Sequence, residues 1–286
     1  MHPYLLPTFL ALTTTTSAAV LLPRQDNTSS PGGGGSCPAN LKGVTFNGGY
    51  DVNQFDKIGA ASHWITFGLG ISGTASPAAS AAHIPMMAFA SDVAQAVTLV
   101  NSDTPPEWML TFNEPDFAYA GTSPTMSPEE AADAIKPLLA SPGKGTKFVA
   151  PVTADPNSDW LPRFYQACGC QGFFSAYNIH IYTPDVENVK SGLTSFHSKY
   201  GDKPIWLTEV APGGASPACS VSWDAATSFM DELYKWAADS GFVDRVFWNS
   251  GNQIGGGDTN VCNSYLLDSA DNPSPLLKSF QDVTCG

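Results

Sequence analysis

Apolar stretches alternate with helical patterns from residue 41 to the end of the chain, and this rhythm constrains the fold more than any other feature. The stretches predict eight strands, at 42–47, 64–69, 85–90, 108–113, 147–152, 176–182, 205–210 and 246–250. Several are continuous apolar runs, which is typical of parallel strands buried on both faces. The pattern therefore predicts an α/β fold, a (β/α)8 TIM barrel that forms a single domain.

The helical patterns support this interpretation. They are clearest at 128–139 and 224–238, and Ser127 can cap the first of these, with Pro128 at the first helical position. A last turn after Pro275 can supply the eighth helix. The alternative is an open, doubly wound sheet, but no Gly-rich phosphate-binding fingerprint follows a predicted strand.

Two segments before the barrel carry different signals. Residues 1–19 combine a short apolar stretch with the small-residue site Ser17-Ala18-Ala19, which is typical of a secretory signal peptide. An N-terminal core segment is the alternative. Residues 20–40 contain four consecutive glycines and predict a flexible leader rich in Gly, Ser and Pro. We therefore expect a domain at 41–286 and a secreted protein, located outside the cell or in the cell wall.

Secretion would place the six cysteines in an oxidising compartment, where an even set favours disulfides. Six cysteines allow 15 pairings, among which we favour Cys37 with Cys285 and Cys219 with Cys262; Cys168 would then pair with Cys170 in a strained bond across a single residue. The first pair would join the two ends of the barrel.

The charge of the chain limits its partners. The formal net charge is -13, and only 13 residues are Lys or Arg. Phosphate backbones and anionic membranes are therefore poor partners, so we expect neither a nucleic acid nor, for the mature chain, a membrane. No feature demands oligomerisation, and a monomer is expected.

Two glutamates stand where predicted core strands end. Residues 107–115 read Glu-Trp-Met-Leu-Thr-Phe-Asn-Glu-Pro, so Asn113 and Glu114 follow an apolar run, and Pro115 favours an extended backbone at Glu114. Residues 204–212 read Pro-Ile-Trp-Leu-Thr-Glu-Val-Ala-Pro and place Glu209 similarly. The carboxyl ends of barrel strands form one face, where active sites lie.

Such a pair has a specific chemical use. A single glutamate at a strand end can be a solvated loop carboxylate, but two in matching contexts are the arrangement of glycosidases. Cleavage with retention needs one protonated carboxyl that donates to the leaving oxygen and one ionised carboxylate about 5 Å away that attacks the anomeric carbon. Glu114 and Glu209 can fill these roles.

Polar and aromatic residues at other strand ends are candidates for substrate binding. Asn113 can bind a sugar 2-hydroxyl, and Trp248 is either barrel filling or a stacking surface for a sugar. His180 and Tyr182 both point inward if their isoleucine neighbours face the helices, and Tyr182 can then hydrogen-bond Glu209 and hold it ionised. The predicted substrate-binding residues are Asn113, His180, Tyr182, Trp248, Asn249 and Asn47.

Competing chemistries find little support in the sequence. The five histidines show no metal-ligand spacing, and no Gly-x-Ser-x-Gly nucleophile elbow is present. We therefore expect no metal and no cofactor.

Three of these motifs together resemble a known family. Trp-Met-Leu-Thr-Phe-Asn-Glu-Pro-Asp at 108–116, His-x-Tyr at 180–182 and Ile-Trp-Leu-Thr-Glu-Val-Ala at 205–211 are similar to fungal members of glycoside hydrolase family 128, the Asl1-like catalytic domain. Asn-Glu-Pro alone recurs across the clan A glycosidases. The resemblance covers about 41–286. It implies a retaining β-1,3-glucanase of (β/α)8 fold without a cofactor, with Glu114 as acid/base and Glu209 as nucleophile.

Several functional alternatives stay open at this point. The expected activity is endo cleavage of β-1,3-glucan, although the loop sequences do not separate endo from exo action. A cell-wall β-glucan-binding protein with little or no catalysis is the alternative from a different class, and the two glutamates argue against it. A clan A glycosidase that acts on β-1,4-glucan or mannan would use the same carboxylates.

Overall fold

The computed structural model describes residues 35–48, 50–118, 125–213, 221–253 and 263–286. The predicted signal peptide and most of the predicted leader lie outside these residues. The described end of the leader is attached to the C-terminus, because Gly35 N–H donates to Gly286 O over 2.9 Å and Cys285 N–H donates to Gly35 O over 3.0 Å.

The strands form two parallel sheets. Their bounds within the described residues are β1 Lys42–Thr45, β2 His63–Ile65, β3 Trp108–Leu110, β4 Lys147–Val149, β5 Tyr177–Tyr182, β6 Ile205–Ala211 and β7 Val243–Asn249. One sheet has the order β2-β1-β7-β6-β5, and β3 pairs with β4 in the other.

Single bridges join the two sheets into a closed ring. Residues 83–87 lie between β2 and β3, where Ile84 N–H donates to Trp64 O over 3.0 Å and Met86 bridges Leu110 in parallel. On the other side, Val149 of β4 bridges Ala176, just before β5. The ring thus has eight positions, and 83–87 occupies the third. The predicted (β/α)8 barrel is confirmed, and the third predicted strand is held by isolated bridges.

Helices follow the strands in the predicted alternation. Their bounds are α1 Gln54–Ile58, α2 Pro77–Ala82, α3 Val93–Val100, α4 Pro128–Ala134, α5 Lys136–Ala140, α6 Trp160–Cys168, α7 Val186–Tyr200, α8 Trp223–Ser240 and α9 Pro275–Asp282. Among the described residues, no helix combines the length and the apolar character needed to cross a membrane.

One predicted helix is interrupted. The Ser127 side chain accepts from Glu130 N–H and the Glu130 side chain accepts in return, so the predicted N-terminal cap is confirmed. The single helix predicted at 128–139 is nevertheless wrong, because α4 ends before Ile135 and α5 begins at Lys136. Pro137 has no N–H for the helical hydrogen bond and interrupts the ladder at this point.

The apolar core has two layers. The inner layer contains residues of the barrel strands and their extensions only, and its buried members are Ile65, Ile84, Met86, Ala88, Leu110, Val149, Ala176, Trp206 and Phe247. The outer layer combines the opposite faces of the strands with the helices. The barrel interior is therefore packed with side chains, which leaves the carboxyl ends of the strands as the place for polar groups.

Gly43 of β1 makes room for this interior. A Cβ atom at Gly43 would lie 2.5 Å from the Phe247 ring. We expect Gly43→Ala to lower the free energy of unfolding by about 1–3 kcal/mol, because the ring would have to leave its packed position. Thermal or urea denaturation measures the effect.

Gly172→Ala is the matched control for this prediction. A Cβ atom at Gly172 meets nothing within 4 Å, and we expect a change within about 0.5 kcal/mol. Equal stability of the two variants would show that Phe247 does not fill the space over Gly43.

Two of the three predicted disulfides lie within the described residues and are confirmed. Cys37 bonds to Cys285 across a sequence separation of 248, and Cys168 bonds to Cys170. The third predicted pair, Cys219 with Cys262, lies outside the described residues.

Candidate active site

Glu114 lies at the carboxyl end of the fourth barrel position, just after the extension of β3. Its N–H donates to Val152 O over 2.9 Å, which continues the pairing between the fourth and fifth positions. The predicted extended backbone is wrong, because Glu114 has a φ of 42°, in the left-handed region. Such a conformation costs a non-glycine residue about 1–3 kcal/mol and is typical of functional sites. The side chain is buried, with 8% of the residue exposed.

Glu209 reaches the same end of the barrel because β6 contains a β-bulge. Ile179 pairs with Leu207 but His180 pairs with Glu209, so Thr208 is an extra residue in β6. Strict alternation from the inward-facing Trp206 would turn Glu209 toward the helices. The bulge instead places Glu209 on the inner side, together with Thr208.

The two glutamates lie close together around His180. One carboxylate oxygen of Glu114, a ring nitrogen of His180 and one carboxylate oxygen of Glu209 all lie within 4.8 Å of one another. The prediction that two distant glutamates meet at one face of the barrel is supported by this geometry. The two side chains are 10% and 7% exposed, so both carboxyl groups are largely shielded from water.

His180 connects the glutamates through both ring nitrogens. Its Nδ1 lies 2.6 Å from Glu114 Oε1, and its Nε2 lies 2.9 Å from Thr208 Oγ1 and 3.6 Å from Glu209 Oε1. Burial lowers the pKa of His180, but the charge of Glu209 and the hydrogen bond to Glu114 outweigh it, and the pKa is raised above its ordinary value.

Glu114, His180 and Glu209 are also residue types that bind metals, and one ligand atom of each could share a cation. Both nitrogens of His180 already have protein partners, at Glu114 and Thr208. Hydrogen bonding therefore accounts for the geometry of this cluster, and the expectation of no metal stays a prediction.

A chain of polar side chains supports Glu209. The Tyr182 hydroxyl donates to Glu209 Oε2, and Asn249 Nδ2 donates to the Tyr182 oxygen. Asn47 Nδ2 in turn donates to Asn249 Oδ1 over 2.7 Å, and Asn252 Oδ1 accepts from Asn47 N–H over 3.0 Å. Burial and the charge of Glu209 raise the pKa of Tyr182 well above its ordinary value, so the phenol keeps the proton that it donates.

The predicted directions of β5 are confirmed. Ile179 packs in the outer layer, and Ile181 contacts Gly192 of α7, where an added Cβ would lie 3.0 Å from its Cδ1. Alternation then turns Asn178, His180 and Tyr182 inward. The predicted contact between Tyr182 and Glu209 is present.

Asn113 lies beside Glu114 and is buried. Within the described part of the chain its Oδ1 has no hydrogen-bond partner, although less than 1 Å² of this atom is exposed. A buried amide oxygen without a partner is costly unless a ligand or water completes it. The position suits the predicted contact with a sugar hydroxyl.

Trp248 has a different role from the one predicted. The residue is fully buried in the outer layer, where its ring packs edge-on against Phe229 and its Nε1–H donates to Ser264 O. Adjacent residues of a strand face opposite sides, so Asn249 points into the site and Trp248 points toward α8. The indole offers no face to a sugar. An exposed ring close to Glu114 in sequence is that of Phe117, which is 51% exposed.

The sequence analysis missed Thr208 and Asn178. Thr208 Oγ1 donates to Asn178 Oδ1 over 2.6 Å, and both residues are buried against His180. The alternation 178, 180, 182 contained a signal for Asn178. Alternation along β6 would likewise have placed Thr208 on the same side as Trp206, whereas the inward position of Glu209 depends on the bulge.

The comparisons with known proteins show the family and the fold of the chain. The family model described as glycosyl hydrolase catalytic core matches residues 43–280. Comparison with curated protein sequences gave no significant match.

Solved structures with the same fold include both enzymes and binding proteins. A family 128 (subgroup I) endo-β-1,3-glucanase from Amycolatopsis mediterranei, in complex with laminaripentaose, has a TM-score of 0.69 and 22% identity over 85% of this chain and 99% of its own. An exo-β-1,3-glucanase from Cryptococcus neoformans has a TM-score of 0.67 and 19% identity over 85% and 98%. An oligosaccharide-binding protein from Trichoderma gamsii has a TM-score of 0.66 and 17% identity over 87% and 96%.

Proposed function

The chain belongs to the glycosyl hydrolase catalytic core family, and from this premise we propose that it is a secreted, retaining glycoside hydrolase that cleaves β-1,3-glucan. One observation carries the proposal: oxygens of Glu114 and Glu209 lie within 4.8 Å of each other. Retaining enzymes hold their carboxyl groups about 5–5.5 Å apart, whereas inverting enzymes need about 6.5–9.5 Å to admit a water.

The surroundings of the glutamates support a separate role for each. Glu209 accepts a hydrogen bond from Tyr182, which stabilises the ionised form required of a nucleophile. Glu114 contacts His180 over 2.6 Å, which is the environment expected of a group that gains and loses a proton. We therefore assign Glu209 as nucleophile and Glu114 as acid/base.

The proposed reaction has two steps. In the first, a Glu209 oxygen bonds to the anomeric carbon, the glycosidic bond breaks, and Glu114 transfers its proton to the leaving oxygen. In the second, Glu114 takes a proton from water, the water oxygen bonds to the anomeric carbon, and the ester bond to Glu209 breaks. In this mechanism Asn113 binds the sugar beside the reacting carbon.

The substrate, the cleavage mode and the location are parts of the same proposal. The A. mediterranei endo-β-1,3-glucanases in complex with laminarioligosaccharides support β-1,3-glucan and endo action. Secretion is supported by the signal-peptide pattern at 1–19 and by the disulfide that joins Cys37 to Cys285. The enzyme would act as a monomer without a cofactor.

Release of reducing sugar tests the function. We expect activity on linear β-1,3-glucan and none on β-1,4-glucan or mannan, with a range of oligosaccharides as early products if cleavage is endo. Release of a single small sugar from the outset would indicate exo action, and activity on the other polysaccharides alone would contradict the substrate.

A binding function is the second candidate, because the T. gamsii oligosaccharide-binding protein has the same fold. A protein that only binds sugar has no need of two buried carboxylates within 4.8 Å of each other. Retention on insoluble β-1,3-glucan without release of sugar from any of the three polysaccharides would favour this candidate.

A further inference from the structure

A buried row of polar groups leads away from the Glu114 carboxyl. Glu114 Oε1 lies 2.6 Å from His180 Nδ1, and His180 Nε2 lies 2.9 Å from Thr208 Oγ1. Thr208 Oγ1 lies 2.6 Å from Asn178 Oδ1. His180, Thr208 and Asn178 are 3%, 0% and 2% exposed, so water has little access to this row.

The orientation of the Asn178 amide, whose oxygen faces Thr208, determines where the protons lie. A threonine hydroxyl has one proton, and an amide oxygen only accepts, so Thr208 donates to Asn178 Oδ1. The Thr208 oxygen must then accept the hydrogen bond from His180, and Nε2 of His180 carries a proton. The other ring nitrogen, Nδ1, faces Glu114.

A proton on Nε2 restricts the contact between His180 and Glu114. If Nδ1 and Oε1 both lacked a proton, two acceptors would face each other at 2.6 Å in a buried site. One proton between them removes this repulsion, as an ion pair or as a neutral pair. The pair therefore loses its shared proton less readily than a lone imidazolium would.

We propose that Thr208 and Asn178 are positioning residues that hold a proton on Nε2 of His180 and thereby keep a second proton shared between His180 and Glu114. This inference rests on the proposed function for its catalytic consequence. The shared proton passes from the pair to the leaving oxygen in the first step, and the pair regains a proton from water in the second. A pair that binds its proton more tightly is a stronger base in that second step.

Other titratable groups near His180 also affect how firmly its ring holds a proton. Glu209 on β6 and Asp116 in the loop after Glu114 both favour a positive imidazole, and Glu209 Oε1 is 3.6 Å from Nε2, beyond hydrogen-bond distance. Tyr182 on β5 is neutral and donates to Glu209. None of these groups replaces the acceptor that Thr208 offers to Nε2.

The tautomer of His180 can be measured directly, without any substrate. Nitrogen-15 NMR of the imidazole rings distinguishes protonated from unprotonated ring nitrogens, and loss of a signal in His180→Gln assigns the residue. We expect Nε2 to remain protonated in the wild type from about pH 5 to pH 8. In Thr208→Val and in Asn178→Ala, we expect the proton to reside on Nδ1 at the upper end of this range. The first variant removes the acceptor, and the second frees the Thr208 hydroxyl to donate to Nε2.

The pH dependence of kcat/KM on β-1,3-glucan gives the catalytic readout. Its alkaline limb reports loss of the proton from the acid of the free enzyme. We expect Thr208→Val and Asn178→Ala to move this limb to lower pH by about one unit, because a neutral imidazole with its proton on Nδ1 can hydrogen-bond an ionised Glu114.

Two variants separate this role from a structural one. Thr208→Ser keeps the hydroxyl and should keep the wild-type tautomer and alkaline limb. Thr111→Val removes an equally buried hydroxyl, which donates to Val149 O over 2.7 Å. This variant should leave the His180 tautomer and the alkaline limb unchanged even if its stability falls.

The results that would overturn this inference differ from the result that would overturn the proposed function. A wild-type His180 with its proton on Nδ1, which would require the amide nitrogen of Asn178 to face Thr208, overturns the inference. So does an alkaline limb that does not move in Thr208→Val. A wild type that releases no sugar from any glucan would instead overturn the proposed function, while the NMR measurement would still decide the tautomer.

Discussion

Glu209→Gln should reduce turnover of β-1,3-glucan by about four orders of magnitude or more, as removal of a nucleophile does in other enzymes that form covalent intermediates. An amide cannot form the glycosyl ester that the first step requires. Glutamine has the shape of glutamate, and its Oε1 can still accept the hydrogen bond that Tyr182 donates to Glu209. The loss should therefore appear in kcat for glucan, with the fold and substrate binding retained.

Glu232→Gln is the matched control for this variant. Glu232 lies on α8, is about half exposed and pairs with Lys190 at the surface, so the same substitution there should leave turnover unchanged. Turnover by Glu209→Gln within tenfold of the wild type would mean that Glu209 is not the nucleophile.

Glu114→Ala should show a loss that depends on the leaving group. On glucan, whose leaving oxygen needs a proton, we expect turnover to fall by about 10²–10⁴-fold. On an aryl β-glucoside with a dinitrophenolate leaving group, the first step needs no acid and should proceed at close to the wild-type rate. Comparison of the two substrates by steady-state and burst kinetics measures the difference.

Azide provides a control within the same variant. The second step in Glu114→Ala lacks its base, so the glycosyl-enzyme should accumulate on the aryl substrate. Azide needs no deprotonation and should restore turnover as a glycosyl azide forms. An equal loss on both substrates, without rescue by azide, would exclude Glu114 as the acid/base.

The sequence predicted the barrel and both glutamates because these depend on local patterns. Continuous apolar runs ending in Asn113-Glu114-Pro115 and Thr208-Glu209 marked the carboxyl ends of two strands. In a barrel, residues at the carboxyl ends of different strands lie on the same face. Alternation along β5 placed His180 and Tyr182 on the inner side. The strand ends and the directions of the β5 side chains could both be inferred from a few neighbouring residues.

The remaining features depend on tertiary structure. The bulge that turns Glu209 inward beside Thr208 is a property of the pairing between β5 and β6, and no glycine or proline marks it. Glu114 has a left-handed backbone, against the preference that Pro115 imposes, and its N–H donates to Val152 O on the neighbouring strand extension.

The error at Trp248 has another origin. The two neighbouring residues Trp248 and Asn249 were both assigned to the substrate, although successive residues of a strand face opposite sides. Once Asn249 contacts Tyr182, the indole must pack against α8. Alternation was available in the sequence and would have excluded one of the two.

The configuration of the first product tests the central claim most directly. Proton NMR during hydrolysis of a linear β-1,3-glucan oligosaccharide records the anomer released before mutarotation. The close approach of Glu114 and Glu209, within 4.8 Å, predicts that the first product has the β configuration, because two successive displacements restore the original stereochemistry. A first product of α configuration would show a single displacement by water and would contradict the assignment of Glu209 as nucleophile.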